Sequence, residues 1–250
     1  MLAETSHYIE GTEFEIDEAE RIIFEGRAVD ERYTDSHDVM AVYDLVSNLE
    51  EMMRTPQNAD ELLSMLVQRH AYILHARPEK RPGQLKNKRN VAGNTVFVEP
   101  GDVQGTLTQG FELYRLLPEG MARAVMMHYL VAITHPFDDG NGRLARIMMN
   151  AELVAAEQTK ILIPTVHREN YINGLRRASS RGQFQIMVKS MDLAQAYSAS
   201  VDWIDYGEAR EKLEADAAIQ EPDNGLSRFY HATRELPRSV TPIDQSPTLR

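Results

Sequence analysis

From His135 to Arg146 the chain reads HPFDDGNGRLAR, which places a base, a carboxylate, a Gly-Asn-Gly turn and two arginines within a dozen consecutive positions. Those are the groups needed to handle a polyphosphate. A general base meets a nucleophile, a carboxylate offers oxygen to a hard cation, and backbone N–H groups with guanidinium forks hold phosphate oxygens. Gly140, Asn141 and Gly142 open a predicted helix, where unpaired N–H groups and the helix dipole favour an anion and glycine permits close approach. Arg143 and Arg146 are three apart on that helix, so both can reach one ligand from the same side. Asp139 directly precedes the turn and can hold Mg2+ against phosphate. His135 ends the preceding helix, near enough to take a proton from an incoming hydroxyl. Phe137, between polar neighbours, is expected to turn inward and anchor the loop. A lone histidine or an arginine pair would be ordinary between two helices, but the complete ordered set is not.

The elements that must position this run are mostly helical. Residues 16–26 carry acidic residues early and a glycine at the end, the start and stop signals of a helix. Residues 36–54 show Val39, Val42, Leu45, Leu49 and Met52 at helical spacing, and residues 59–74 repeat that period. The one β signal is KNKRNVAGNTVFVEP, where Ala92-Gly93-Asn94 separates two extended runs and Thr95, Val96, Phe97 and Val98 are β-branched or aromatic. It predicts a hairpin. Helical pattern resumes near residues 103–117, 120–134, 141–156, 167–180 and 184–206, with a polar helix expected over 207–220 and a loosely structured tail beyond Gln220. His70, His75 and His128 stand in helical runs and read as structural or solvated. Trp203 and the methionines read as packing.

The composition is that of a soluble globular chain of 250 residues. A formal charge of −11 argues against indiscriminate attraction to nucleic acid. The absence of cysteine removes disulfides, thiolate metal sites and cysteine nucleophiles, and fits a reducing compartment. The start has neither a basic nor an apolar leader region, and no apolar run approaches the ~18 residues of a spanning helix. A cytoplasmic protein without a membrane partner is expected.

The run from His135 to Arg146 resembles the signature of the Fic (filamentation induced by cAMP) domain family, H-x-F-x-[DE]-G-N-G-R-x-x-R, at every fixed position. The looser resemblance extends over residues 39–196. It implies a mostly α fold, a Fic-type helical core with a short β-hairpin flap. It also implies transfer of AMP from ATP to a Tyr, Ser or Thr hydroxyl of a target protein. His135 would then be the catalytic base, Asp139 the Mg2+ ligand, and Asn141 with the neighbouring backbone the anion hole. Arg143 and Arg146 would hold the distal phosphates. Relatives that phosphorylate instead carry Lys where Gly142 stands, so Gly142 favours nucleotidyl transfer.

The family gives meaning to SHYIEG near the start, because Ser6, Glu10 and Gly11 meet the [ST]-x-x-x-E-[GN] pattern of an inhibitory helix and stand on the side used by the N-terminal, self-inhibited class. Glu10 would compete with ATP for Arg146, since carboxylate and phosphate both take the arginine fork. An exposed pair contributes no more than about 1 kcal/mol, so such a lock requires burial. By the same resemblance, residues 90–98 would be a flap that pairs by its main chain with the target. Tyr171 would lie at the nucleoside. The expected organisation is an inhibitory region over 1–30, a catalytic core over 31–206 and a C-terminal helix with a tail over 207–250. The same site run in reverse, with Glu10 aligning water to remove AMP, is the alternative enzyme. A silent interaction module, such as an antitoxin partner, is the alternative outside enzymes. The protein substrate is left open, the chain itself included, as is a homo-oligomer.

Overall fold

The structure is a computed structural model, and it describes residues 16–29, 32–92 and 95–238. Ser6, Glu10, Gly11, Gly93 and Asn94 lie outside the described residues. Eleven α-helices and one two-stranded antiparallel hairpin are found among them, so the fold is mostly α. The chain divides into two compact units, Met1–Leu162 and Ile163–Arg250.

In the first unit, α1 (Ile16–Glu25) packs on α2 (Tyr33–Ser47), and the short α3 (Leu49–Met52) follows. The single amphipathic helix expected over residues 36–54 is therefore two. Asn48 breaks it, with extended dihedrals and a side chain that accepts from the Glu51 N–H at 3.1 Å, capping the second piece. Asn58 caps α4 (Ala59–Ile73) in the same way through Glu61 N–H. Arg69 of α4 is 2% exposed and donates to the Glu51 carboxylate and to the Glu51 and Arg54 carbonyls, which ties α4 to the end of α3.

The hairpin β1 (Val91–Ala92) and β2 (Thr95–Val96) pairs Val91 with Val96 and Ala92 with Thr95. Beyond it, α5 (Val103–Tyr114), α6 (Met121–Thr134) and α7 (Asn141–Ala155) build the core. A Cβ at Gly110 of α5 would overlap the buried Leu130 side chain, so glycine lets α5 come this close to α6. Both α6 and α7 are buried along most of their length, with Leu130, Val131, Leu144, Ile147 and Leu153 at 0–2% exposure. Such helices are held by packing on all sides, not by a single amphipathic stripe.

In the second unit, α8 (Arg168–Arg181) and α9 (Gln185–Ala199) pack together, and α10 (Tyr206–Ala215) follows. The helix expected to run through Tyr206 stops at Ala199, where the Trp203 indole N–H takes the Ser198 carbonyl at 2.8 Å. The loosely structured tail expected beyond Gln220 is corrected in part by an eleventh helix, α11 (Pro222–Ala232). Pro222 starts it with a φ already helical, and Phe229 is fully buried against Tyr197, ring centroids 4.9 Å apart. The sequence hid this helix because turn-forming Asn224 and Gly225 sit inside it and its apolar face is short. No helix among the described residues is long and apolar enough to cross a membrane.

If Phe229 is the anchor of α11, Phe229→Ala should lower unfolding stability by about 3–5 kcal/mol. Urea denaturation measures it, and a loss below 1 kcal/mol would leave α11 without its anchoring role.

Candidate active site

The run from His135 to Arg146 joins α6 to α7 by a loop in which the carbonyls of Thr134, Pro136, Phe137 and Asp139 and the N–H groups of His135, Phe137 and Gly140 all have partners. His135 is the C-terminal cap of α6 and sits in the left-handed region, φ 49°, ψ 59°, a conformation that is uncommon away from glycine. Its N–H still donates to Val131 O at 3.0 Å, so the sharp turn does not break the last helical bond. Before the turn, the Thr134 carbonyl accepts from Lys86 Nζ at 3.1 Å, a buried cation placed where the helix dipole is negative. After it, Pro136 O accepts from Lys86 N–H at 2.8 Å, and Phe137 O accepts from Asn90 Nδ2 at 2.8 Å.

Asn141 closes the loop from the other end. Its Oδ1 accepts from Phe137 N–H and its Nδ2 donates to Phe137 O, each at 2.9 Å, so its buried side chain shapes the turn that precedes α7. Phe137 is fully buried, as expected, with its ring stacked on His70 at 3.8 Å and 7°. His70 accepts the Gly83 N–H at Nδ1 (2.9 Å), which leaves the proton on Nε2 to donate to Asp139 O at 3.0 Å. The ring is therefore neutral, and burial pushes its pKa down to about 4. Gly140 has φ 70°, and a Cβ there would press on Leu74 Cδ1 at 3.1 Å, so this position needs glycine for conformation and for space.

The groups expected to do chemistry stand beside this fixed frame. The His135 ring stacks on Phe97, one residue past β2, with centroids 3.8 Å apart and planes 16° apart. Its Nδ1 lies 3.4 Å from Ala132 O, and a proton held there makes Nε2 the basic nitrogen. Asp139 is 38% exposed at its side chain, accepts the Gly140 N–H at 2.7 Å and stands 3.3 Å from Lys80 Nζ. Burial by itself would raise its pKa, but the Gly140 N–H, Arg143 and Lys80 hold it below the usual carboxylate range. An ionised, half-exposed carboxylate beside a helix N-terminus suits Mg2+, which takes one or two protein carboxylates and completes its shell with phosphate oxygens and water. Among the described residues no group of three or more His, Cys, Asp or Glu is arranged to hold a metal, and a phosphate-completed site needs none.

Arg143 and Arg146, on the first turns of α7, are 4% and 6% exposed. Arg143 Nη1 donates to Asp38 at 2.5 Å. The charge of Arg146 adds to the burial that drives His128 down to about 3. Tyr171 is buried on α8 of the second unit. Thr95 is partly exposed and Val96 exposed on the short strand β2, with Phe97 and Val98 continuing beyond it. Asp38, His70, Lys86 and Asn90 support the site and have no signal in a local pattern. They stand 47 to 105 residues before their partners, and only the contacts that the fold gives each side chain mark it.

Residues 59–153 match the Fic/DOC family. Protein adenylyltransferase Fic of Culex quinquefasciatus is 27% identical over 176 residues, which cover 68% of this chain and 35% of that protein. The protein of the same name from Drosophila yakuba is 28% identical over 178 residues, with the same shares covered. The chain spans about a third of the length of these curated relatives. A Fic-domain-containing signaling protein from Bacteroides thetaiotaomicron shares the fold, with a TM-score of 0.64 at 19% identity over 82% of this chain and 89% of that one.

Because His70 is held neutral, the stability it contributes is complete above pH 6.5 and is lost as pH falls from 6.5 towards 4, by about 3 kcal/mol. His70→Gln should remove that part of the slope while lowering stability at neutral pH. Urea unfolding of both proteins across pH 4–7 gives the difference, and parallel profiles would mean that His70 is not held neutral.

Proposed function

We propose that this chain, whose residues 59–153 carry a Fic/DOC domain, is a protein adenylyltransferase. The observation that carries the reading is the pairing of His135, held at the left-handed end of α6, with an anion-favouring helix start that bears Asp139 before it and Arg143 and Arg146 after it. The names of the curated relatives support the same reaction. ATP is the nucleotide, and the co-substrate is a protein with an accessible Tyr, Ser or Thr hydroxyl.

His135 Nε2 takes the hydroxyl proton as the oxygen attacks the α-phosphorus. The new bond joins that oxygen to phosphorus, the bond from phosphorus to the bridging oxygen breaks, and pyrophosphate leaves with the electron pair. Such chemistry needs positioning and charge stabilisation more than covalent help. Asp139 would hold Mg2+ together with phosphate oxygens, and the ion supplies charge neutralisation there. Gly140, Gly142 and the backbone of the first turn of α7 receive the phosphates, with Asn141 fixing the shape of that turn. Arg143 and Arg146 hold the distal oxygens. Thr95, Val96, Phe97 and Val98 form the edge on which the target segment docks. Phe97 also covers one face of the base.

Glu10, with Ser6 and Gly11, inhibits by taking Arg146 away from the γ-phosphate. The support is the sequence pattern on the expected side of the domain, together with the burial of Arg146 that such a lock requires. The lack of cysteine fits a cytoplasmic setting.

Incubation with Mg2+ and α-labelled ATP separates the parts of this reading. The unaltered chain should label itself weakly or not at all, Glu10→Gly strongly, and Glu10→Gly with His135→Ala not at all. Equal labelling of the first two would remove the lock, and labelling of the third would remove His135 as base.

A further inference from the structure

We propose that Asp38, on α2 and outside the segment matched to the family, is a positioning residue for the nucleotide's distal phosphates, acting through Arg143. This rests on the reading of Arg143 as a phosphate ligand. Asp38 is 1% exposed, and its Oδ2 accepts from Arg143 Nη1 at 2.5 Å and from Arg77 Nε at 2.8 Å. Arg77 also pairs with Asp35, which stands 3.4 Å from Arg32 Nε. One buried carboxylate is thus shared by two cations, and a further ion pair on Arg77 fixes its far side.

A carboxylate and a guanidinium this deeply buried each require a charged partner, and removing one leaves the other uncompensated. Folding therefore fixes the Arg143 side chain before any nucleotide arrives. The way the pair is made separates positioning from competition. A carboxylate that captured the guanidinium would take two N–H groups along one edge. Asp38 takes one, while Arg143 Nε and Asp38 Oδ1 are buried without partners. The single bond sets the direction of the side chain and leaves donor capacity on Arg143, which rises from the first turn of α7 where the helix dipole favours an anion.

Asp38→Asn keeps the shape and removes the charge, so Arg143 loses its anchor. The readout is calorimetric affinity for ATP and for AMP with Mg2+, in the full chain carrying Glu10→Gly. AMP lacks the distal phosphates and serves as the internal control. Asp38→Asn should leave AMP affinity within about twofold and weaken ATP by about tenfold or more, since small misplacement of a binding group is costly. In an Arg143→Gln background the same substitution should produce no further loss of ATP affinity. If Asp38→Asn does not fold, Arg77→Gln carries the test, with a smaller loss that is again confined to ATP.

Equal loss of ATP and AMP would make Asp38 merely structural and overturn the proposal. Tighter ATP binding would show competition for Arg143 and overturn it as well, as would a full loss that persists in the Arg143→Gln background. If the Glu10→Gly parent binds neither nucleotide, the nucleotide reading itself fails, and with it the role of Arg143 on which Asp38 depends. An intact parent with an unselective variant sinks only the role of Asp38.

Discussion

The loop from Thr134 to Gly140 must be irregular to aim its side chains, yet it is largely buried and so must find a partner for each backbone polar group. This constraint organises the site. The carbonyls of Thr134, Pro136, Phe137 and Asp139 are met in turn by Lys86 Nζ, Lys86 N–H, two asparagine amides and His70. Each donor comes from outside the loop except Asn141, which reaches back from the first residue of α7. A site built in this way holds its geometry without a ligand. Preorganised donors are what group transfer at phosphorus requires.

The same demand explains why ordinary-looking residues around the site are buried. Lys86 is 3% exposed, and burial drives its pKa down to about 8, opposed by Glu99 and Asp138. Its ammonium is stabilised by a carbonyl at the negative end of α6 and not by a full ion pair. His70 is held neutral because both ring nitrogens are already committed, one as acceptor and one as donor. Arg143 is accommodated by Asp38, and Asp38 in turn by Arg77. Around the helix start and loop of the candidate site, the hydrophobic core of α6 and α7 supplies rigidity, while buried polar links decide direction.

Much of the helical framework is legible in local pattern, because periodic apolar positions and caps are local properties. α4, α6, α7 and α8 fall within a residue or two of the periodic segments, and the hairpin joins the two expected extended runs, with Ala92 in β1 and not in the break between them. The departures have local causes that periodicity does not weigh. Asn48 satisfies a helix start in the middle of an apolar pattern. Trp203 ends α9 by taking a carbonyl, and Phe229 makes a helix from a segment rich in turn formers because burial of one ring outweighs weak propensity.

The sequence by itself determined which groups the proposed chemistry would use. The order and spacing of His135, Asp139, the glycines and the two arginines are covalent facts, and a helix start after a glycine turn follows from elementary backbone rules. What only the tertiary structure decided is which groups hold those residues still. Asn141 is consumed in shaping the turn, and Phe97 lies on the His135 ring. Arg143 is tied to a carboxylate 105 residues away. Those outcomes follow from burial, since a polar group removed from water must take its partner from whatever the fold brings near, and no local pattern records which residue that will be.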